Sequence, residues 1–360
     1  MPLPNLLSLT DVRRPSPGWY RGDFHVHTTF SDGHYTPPDL ARLCVEHGLD
    51  FFVITDHNAI GSFNLFGEDP GLLVIPGLEV TLNEGHWNVF GVEGWRPWME
   101  AVCYGEITIP LGEKFSGTNE LLALTRGEGR LNSINHPLLA PWAWVDKETD
   151  LRLVDAIEVW SDPLWPDNAA ANPRAVDLWS ECLNAGLRPA AIGGSDFHCL
   201  PGEMPPYPGE KPGLPLTWVY ARELSGQAVL EGVRARRAFV SLGPKMAFHA
   251  ALDGQRFEMG ADMGPRNGRA MLEASVSDGP QMGILRLVGS MGVVAEAAVV
   301  AGQAGLQCDF GLREDRPQWV RAEVVDADGR TLALTNPVFA GQKTDSAAIT
   351  FGEIVRRTEG

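Results

Sequence analysis

The sequence predicts an α/β fold for about its first two thirds and an antiparallel β fold for the rest. From Trp19 to about Gly243, short apolar segments alternate with segments of helical pattern, which is typical of parallel βα units. After about Lys245, helix signatures are nearly absent, and alternating segments are separated by turn sequences such as DADG and SDGP. Most strands predicted in the first part end in a residue that can bind a metal ion.

The first part contains seven predicted strands, in the order DFHVH, DFFVITDH, LLVIPGLEV, HWNVFGV, RLNSINHP, VDAIEVW and RPAAIGGSDFH. Helices are predicted between or after them, with Gly48 and Gly186 at helix C-termini and Thr118 and Ser225 as N-caps. We therefore expect an N-terminal extension over residues 1–19, an α/β domain over 20–245 and a small β-sandwich-like domain over 246–360. The last domain is expected to be structural or oligomerising; the alternative is that it shapes the substrate entrance.

Composition narrows the classes of function. The net charge of −17 argues against a nucleic-acid scaffold and against binding to anionic membranes. No apolar run is long enough to predict a membrane span. The five cysteines are scattered without a CxxC pair, and the N-terminal residues lack a signal-peptide pattern, so we expect a cytoplasmic protein. The oligomeric state is left open.

Nine residues in the α/β part are candidate metal ligands. They combine histidine with carboxylates and include no thiolate, which is the ligand set of zinc, manganese or iron. Nine ligands are too many for one ion, so the sequence predicts a multinuclear metallohydrolase site. The candidates are His25, His27, Asp32, His57, Glu79, His86, His136, Asp196 and His198.

The spacing of these residues fits strands. Side chains at positions i and i+2 of a strand point the same way, so His25 with His27, and Asp196 with His198, can each hold one ion. Asp56 and His57 are adjacent and should face opposite sides. We therefore expect His57 to be the ligand and Asp56 to orient a neighbouring group.

Two residues beside the Asp196–His198 pair invite other interpretations. Ser195 lies in GGSDFH, which lacks the G-x-S-x-G order of a nucleophile elbow. We expect it to support the ligands rather than attack a substrate. Cys199 follows His198 directly and should face away from the pocket.

The motifs HVHTTFSDG, ITDHN, GLEV, INHP and GGSDFH resemble those of the polymerase-and-histidinol-phosphatase (PHP) superfamily of metallohydrolases, over roughly residues 20–245. The finer pattern of GWYRGDFHVHT, IEVW and a β-rich tail is similar to the branch that includes carbaryl hydrolase-like proteins. The resemblance implies a distorted seven-stranded (β/α) barrel of PHP type, with a site for two or three divalent ions.

The resemblance also implies which residues would share each ion. One ion would take His25, His27, Glu79 and Asp196; a second would share Glu79 and add His86 and His136; a third would take Asp32, His57 and His198. Glu84 competes with His86 as a candidate. Of these ligands, Glu79, Asp32, His57 and Asp196 are also the expected catalytic residues.

The expected function is that of a phosphoesterase, because clustered divalent ions can activate water and neutralise charge that develops on a phosphate ester. The first alternative is a metal-dependent hydrolase of carbamates or aryl carboxylic esters. The second is a non-catalytic binding module that metal ions stabilise. In the first two cases the partner is a small-molecule phosphoester or aryl ester.

Several residues are candidate substrate contacts. Arg174 and Lys211 are candidate phosphate contacts, but the interpretation of each as a surface charge is favoured. Trp144 and Trp160, with Trp142 and Trp165, follow the fifth and sixth strands and could form an aromatic wall; the alternative is ordinary packing. The loop over residues 200–215 is rich in Pro and Gly and is expected to be a rim or lid.

Overall fold

The computed structural model describes residues 7–66, 69–103, 115–199, 211–342 and 349–359. In these ranges, no helix is both long and apolar enough to cross a membrane. The part of the predicted 200–215 loop that covers residues 200–210 lies outside the described residues.

The described residues of the first part of the chain form eleven strands and four α-helices. The strands are β1 (Val12–Arg14), β2 (Gly18–Val26), β3 (Phe51–Ile54), β4 (Leu73–Leu82), β5 (Gly85–Phe90), β6 (Leu131–Ile134), β7 (Ala156–Ser161), β8 (Ala190–Gly194), β9 (Leu216–Ala221), β10 (Leu224–Ser225) and β11 (Ala238–Ser241). The helices are α1 (Pro37–Glu46), α2 (Thr118–Gly127), α3 (Asn168–Asn184) and α4 (Gly226–Arg234). Short 3-10 turns cover Gly61–Asn64, Pro97–Ala101 and Leu151–Leu153.

The rest of the described chain, residues 245–342 and 349–359, forms nine further strands and one helix. They are β12 (Lys245–Leu252), β13 (Gln255–Glu258), β14 (Gly268–Ser277), β15 (Met282–Gly289), β16 (Gly292–Val300), β17 (Ala304–Leu312), β18 (Gln318–Asp326), β19 (Thr331–Thr335), β20 (Val338–Ala340) and α5 (Phe351–Thr358). The protein is thus a mixed α/β molecule with large sheets and few helices.

The seven predicted strands of the α/β part correspond to β2 through β8, and they pair in chain order. All are parallel to their neighbours except β5, which is antiparallel to both β4 and β6. The prediction of parallel units throughout is wrong at this strand. Leu82 pairs with Gly85, so only a tight turn joins β4 to β5, and a parallel crossover needs a much longer connection. Consequently β5 begins where the neighbouring strands end.

The prediction of a closed barrel is also wrong, because the described strands β8 and β2 do not pair to close the sheet. Residues 18–22 of β2 pair with β9, and β9 therefore occupies the edge that β8 would need. Only the end of β2 approaches the chain after β8, through a single parallel bridge between Val26 and Phe197. Within it, the His27 N–H donates to the Phe197 carbonyl oxygen at 3.0 Å.

The helix ends follow local capping chemistry. The Thr36 side chain accepts from the Asp39 N–H and caps α1, and Gly48 follows the C-cap with φ of 73°, as predicted for a helix C-terminus. Ser225 is the predicted N-cap of α4. Thr118 is the first residue of α2 rather than its cap, because its hydroxyl donates to Asp146 instead.

The C-terminal strands form two antiparallel layers. One layer has the order β13-β12-β14-β17, and the other runs β16-β15-β18-β19, with β20 also paired to β18. Side chains from both layers share one hydrophobic core, including Phe248, Leu272, Leu287 and Val324. The second layer continues through β11 and β9 into β2. The antiparallel tail is therefore joined to the ligand-bearing strands by one uninterrupted sheet.

Helix α5 was not predicted. Its N-terminus has a capping box, in which Thr350 and Glu353 satisfy each other's backbone N–H groups. The preceding segment returns to the first part of the chain, where the Leu151 N–H donates to the Ile349 carbonyl oxygen at 3.0 Å. Phe351 and Ile354 are buried in the core that also contains α3. Tertiary packing thus stabilises a helix of eight residues that is too short to persist alone.

We expect Ile354→Ala to lower the free energy of unfolding by about 2–4 kcal/mol, because it removes a fully buried side chain and leaves a cavity. Arg356→Ala, on the exposed face of the same helix, should change it by less than about 0.5 kcal/mol. Urea denaturation followed by circular dichroism measures both. Equal stabilities for the two variants would contradict the docking of α5.

Candidate metal centre

The structure brings all nine predicted ligands together at one end of the strands, in what we call the metal-ligand cluster. Each comes from the C-terminal end of a strand or the loop after it, except His86. His86 lies at the start of β5 and pairs with Thr81 near the end of β4. The reversed direction of β5 is what places His86 among the others. The cluster consists of His25, His27, Asp32, His57, Glu79, His86, His136, Asp196 and His198.

Glu79 is at the centre of the cluster and is completely buried. Five imidazole nitrogens lie 2.8–3.6 Å from its oxygens: Nε2 of His25, His27 and His136, and Nδ1 of His57 and His86. Burial acts to raise the pKa of this carboxyl group, but the surrounding histidines hold it well below its usual range. The group is therefore an anion that could serve two ions at once.

Asp32 and Asp196 supply the other two carboxylates. Asp196 Oδ1 lies 3.2 Å from His25 Nε2 and 3.1 Å from His27 Nε2. Asp32 Oδ1 lies 3.2 Å from His198 Nε2 and 3.5 Å from His57 Nε2. Burial and the neighbouring histidines lower the pKa of His27 to about 3, so this ring is neutral and can act as a ligand.

The possible ligand atoms form four overlapping sets, and within each set all the atoms lie within 4.8 Å of one another. They are His25, His27 and Asp196; His27, Asp32, His57 and His198; His57, Glu79 and His86; and His25, His136 and Glu158. The first two contain most of the sets expected for the first and third ions. The third replaces the expected His136 with His57, and the last includes a residue that was not predicted.

Hydrogen bonding at the edge of the cluster shows that its residues fit cations. Nδ1 of His25 faces Glu158 Oε1 at 3.0 Å, and Nδ1 of His198 faces the Asp196 carbonyl oxygen at 2.7 Å. With the proton on Nδ1, each ring directs the Nε2 lone pair into the cluster. His25 Nε2, Glu79 Oε2 and Asp32 Oδ1 are buried without a hydrogen-bond partner among the described residues. Acceptors that face one another in this way need a proton or a bound cation between them.

Glu158 is the functional residue that the sequence analysis missed. It lies on β7 and is almost completely buried. Its Oε1 accepts from His25, and its Oε2 accepts from the His136 N–H at 2.8 Å. A Cβ atom at Gly194 would lie only 2.8 Å from Glu158 Oε1 and 2.4 Å from His25 Cβ, so a glycine is required there. The sequence signal that could have identified Glu158 is a lone glutamate inside the apolar run IEVW, which parallels Glu79 in GLEV.

Asp56 organises the loop that carries Asp32. Its carboxylate accepts from the Thr28 N–H at 2.6 Å, from the Ser31 hydroxyl at 3.1 Å and from the Ser62 hydroxyl at 2.6 Å. Ser31 Oγ is also 3.4 Å from His27 Nδ1. Asp56 therefore acts on the ligands through Thr28 and Ser31 and does not itself contact a histidine among the described bonds.

Ser195 is held by Asp23. The Ser195 hydroxyl donates to Asp23 Oδ2 at 2.5 Å and its N–H donates to Oδ1 at 3.0 Å. Asp23 also accepts from the backbone N–H groups of His25 and Gly213, while burial raises its pKa to about 6. The carboxyl group thereby connects β2, the segment after β8 and the chain leading to β9. Cys199 is buried and belongs to none of the four described ligand sets.

Two ligands have backbone conformations that are unusual for residues other than glycine. His136 has φ of 26° and Asp196 has φ of 54°. Such conformations cost about 1–3 kcal/mol each and persist where the surroundings impose them. Both turn the chain directly after a strand, which directs the side chain back toward the cluster.

Exposure within the described part of the cluster is greatest at Asp32, Asp196 and His198. The side chains of Asp32 and Asp196 are 30% and 21% exposed, and that of His198 is 14% exposed. Glu79 and His25 are completely buried. Asp32, Asp196 and His198 therefore form the accessible edge of the cluster.

The described interactions do not join the predicted cationic contacts, Arg174 and Lys211, to the cluster. Arg174 is exposed on α3. Lys211 is exposed, and its charge contributes to a lowered pKa of His47, just beyond the end of α1. Neither forms a described ion pair with the cluster.

The prediction of an aromatic wall needs correction at two of its four tryptophans, Trp144 and Trp160, which are buried. Trp144 is only 3% exposed, donates to Thr149 Oγ1 at 2.9 Å and packs on Trp87, so packing explains it. Trp160 is also buried. Trp142, by contrast, is exposed and packs edge to face on Trp165, with ring centres 5.7 Å apart. The outer pair is the one available to a ligand.

We expect Glu79→Gln to lose bound metal and nearly all turnover, because an amide cannot bridge two cations as an anion. Glu84→Gln, on the β4–β5 turn, belongs to none of the described ligand sets and should keep its metal. Elemental analysis after gel filtration measures the stoichiometry. Full metal content in Glu79→Gln, with activity within about tenfold of wild type, would disprove the assignment.

We expect Glu158→Gln to weaken metal binding by about 10–100-fold, because the carboxylate orients His25 and the backbone of His136. Competition with a chromophoric chelator gives the affinity. Asp155→Asn, in a partly buried ion pair with Arg126 ahead of the same strand, is the control and should leave that affinity unchanged. An equal effect of both substitutions would point to general destabilisation of β7.

Comparison with known proteins agrees with the metal centre. The family model of the PHP domain matches residues 23–126, which include six of the nine ligands and exclude His136, Asp196 and His198. The DNA polymerase/3'-5' exonuclease PolX of Bacillus subtilis (strain 168) is 39% identical over 41 residues. That segment is 11% of this chain and only 7% of that polymerase.

Two solved structures are similar over larger parts. The first is a two-domain protein from Bacteroides vulgatus ATCC 8482 containing a predicted PHP-like metal-dependent phosphoesterase, with 20% identity and a TM-score of 0.48, covering 91% of this chain and 98% of that one. The second, from Bifidobacterium adolescentis ATCC 15703, is provisionally named a metal-dependent phosphoesterase. It is 18% identical with a TM-score of 0.37, and covers 59% of this chain and 94% of its own. The PHP-domain match over residues 23–126 includes the motifs HVHTTFSDG, ITDHN and GLEV. The motifs INHP and GGSDFH lie outside it, and the carbaryl hydrolase-like branch stays a prediction.

Proposed function

We propose that this protein is a metal-dependent phosphoesterase that holds two or three divalent ions in the metal-ligand cluster. The observation that carries the proposal is the buried Glu79 carboxylate, with five imidazole nitrogens within 3.6 Å of its oxygens. The PHP-domain match over residues 23–126 supports it. His25, His27, Glu79 and Asp196 would hold one ion, Asp32, His57 and His198 another, and Glu79 with His86 and His136 a third.

Bound divalent ions would supply a lowered pKa for a coordinated water and positive charge for the ester oxygens. The chain itself contributes orientation and charge. Glu158, Thr81 and the Asp196 carbonyl group fix the rings of His25, His57 and His198 through their Nδ1 atoms. The partly exposed carboxylates of Asp32 and Asp196 border the edge over which the substrate approaches.

A second candidate, hydrolysis of a carbamate or aryl carboxylic ester, is favoured by one observation. Within the described residues, Asp32, Glu79 and Asp196 form ion pairs with histidines alone, and neither Arg174 nor Lys211 adds a cation to the cluster. A doubly charged phosphate ester usually gains from such a cation, whereas an uncharged ester does not need one.

The choice can be tested with three substrates that share one leaving group: 4-nitrophenyl phosphate, acetate and N-methylcarbamate. Protein stripped by a chelator and reloaded with zinc, manganese or iron should hydrolyse the phosphate fastest, and Asp32→Asn should abolish that activity. Faster turnover of the acetate or carbamate would select the second candidate. Tight metal binding without turnover of any substrate would indicate a non-catalytic binding module.

Metal removal should also destabilise the fold. The three carboxylates of the cluster repel one another without cations, and ions that bind only the folded state at about 100 times their Kd would add about 2.7 kcal/mol of stability. We therefore expect the Tm to fall on chelation and to recover on reloading, as measured by scanning calorimetry. An unchanged Tm with all metal removed would argue against a shared cluster.

The outer tryptophan pair makes a prediction about leaving groups. If Trp142 and Trp165 contact the substrate, Trp142→Ala should remove any preference in KM for aryl over alkyl esters of equal charge, while the metal content stays intact. Trp95→Ala is the control, because Trp95 is exposed in the segment after β5, whose end lies opposite the cluster. Equal KM values for aryl and alkyl substrates in the wild type would leave the pair as packing.

A further inference from the structure

Asn135, the residue between the end of β6 and His136, contacts the central carboxylate of the metal-ligand cluster. Its side chain is buried, and its Nδ2 donates to Glu79 Oε1 at 2.8 Å. Its Oδ1 is also buried and accepts no hydrogen bond from any described residue. The hydrogen bond to Glu79 is therefore the described interaction that this buried amide side chain makes.

The direction of this hydrogen bond follows from the partner. A carboxylate only accepts hydrogen bonds, whereas an amide side chain has a donor end and an acceptor end. If the amide of Asn135 were reversed, Oδ1 would lie against Glu79 Oε1, and two acceptors would repel each other. The N–H groups must therefore face Glu79, and a hydrogen bond from an amide to an anion is among the stronger ones in proteins.

Three ligands of the cluster meet at Asn135. Its side chain holds Glu79, and its backbone N–H donates to the His86 carbonyl oxygen at 3.1 Å. His136 follows it directly in the chain. The ring nitrogens of these two histidines, Nδ1 of His86 and Nε2 of His136, lie 3.3 and 3.6 Å from the same Oε1 atom. Glu79, His86 and His136 are the ligands expected for the second ion.

The two oxygens of Glu79 differ in what they can still bind. Each carboxylate oxygen has two lone pairs, and Asn135 uses one of those on Oε1. Oε1 therefore keeps one lone pair, which suffices for a single ion. Oε2 accepts no described hydrogen bond, and the nearest ring nitrogens of His27 and His57 lie 3.5 and 2.8 Å from it. Oε2 thus remains available to a different ion.

We propose that Asn135 is the positioning residue for the second ion. Its N–H holds the Glu79 side chain so that Oε1 faces His86 and His136, and it restricts Oε1 to that one ion. A neighbouring ion then uses Oε2. The assignment rests on the proposed function, because it requires ions in the metal-ligand cluster. Asn135 is not itself a ligand, since its donor end points at the carboxylate.

The test is zinc titration of chelator-stripped protein in competition with a chromophoric chelator, which counts the bound ions and gives an affinity for each. Asn135→Leu removes the donor at similar side-chain volume. It should weaken one ion by about 10–100-fold, the usual effect of losing a group that orients a ligand, and leave the affinity of the other ions unchanged.

A double substitution identifies the affected ion. His86→Ala removes a ligand of the second ion alone and should weaken that ion. If Asn135 acts on the same ion, Asn135→Leu combined with His86→Ala should bind zinc no more weakly than His86→Ala by itself, because effects on one shared interaction are not additive. Additive losses of two separate ions would contradict the assignment.

Asn132→Leu is the matched control. Asn132 is a buried amide on the same strand, but its Nδ2 donates to the Leu122 carbonyl oxygen at 2.9 Å and its Oδ1 accepts from the Thr125 hydroxyl at 2.9 Å, both on α2. Its substitution should leave every zinc affinity unchanged, whatever its effect on the Tm. Asn135→Ala removes the same donor as Asn135→Leu without the bulk of leucine and should show the same selective loss if the leucine variant does not fold.

The outcomes separate this role from the proposed function. Unchanged zinc binding in both Asn135 variants would overturn the role of Asn135 and leave the metal centre intact. Equal weakening of every ion, or an equal effect of Asn132→Leu, would also overturn it, because the loss would then reflect general destabilisation of β6. Wild-type protein that binds no zinc, manganese or iron would overturn the proposed function, and the role of Asn135 with it.

Discussion

The buried Glu79 carboxylate is the constraint on which the rest of the site depends. Burying an isolated anion at this depth would cost a large amount of free energy. The surrounding imidazoles offset this free-energy cost only when protons or metal ions lie between the rings and the carboxylate. Nδ1 of His25, whose Nε2 faces Glu79, is directed at Glu158, and Nδ1 of His198 is directed at a backbone carbonyl group. The hydrogen bonds around the cluster thus select the form of the protein that binds cations.

The reversed strand β5 shows how the fold serves this constraint. A parallel strand would reach the cluster only with its C-terminal end, whereas β5 presents its first residues there and supplies His86 two positions from the turn. His136 and Asp196 have positive φ values. The backbone therefore turns after β6 and β8, which directs these two ligands toward the cluster. Irregular backbone therefore occurs where the site needs side chains that a regular βα barrel would not provide.

The open edge of the ladder has a second consequence. Because β9 takes the edge of β2 that would otherwise close a barrel, the sheet continues through β11 into the C-terminal strands. The C-terminal layers are thereby held against α3. This helix follows β7, the strand that contains Glu158 and Trp160. The strand that carries Glu158 is thus connected through α3 to the C-terminal layers.

The sequence by itself determined the seven strands β2 to β8, the antiparallel character of the tail and all nine residues of the cluster, because strand periodicity and local motifs encode them within a few residues. It did not determine the direction of β5, the failure of β8 to pair with β2, or helix α5, since these depend on which distant segment competes for an edge or a buried face. Glu158 was missed for the same reason: a single glutamate in IEVW gains its meaning only when β7 lies beside His25. The burial of Trp144 and the exposure of Trp142 were likewise decided by packing, because residues two apart in a loop carry no periodic signal of which one faces the core.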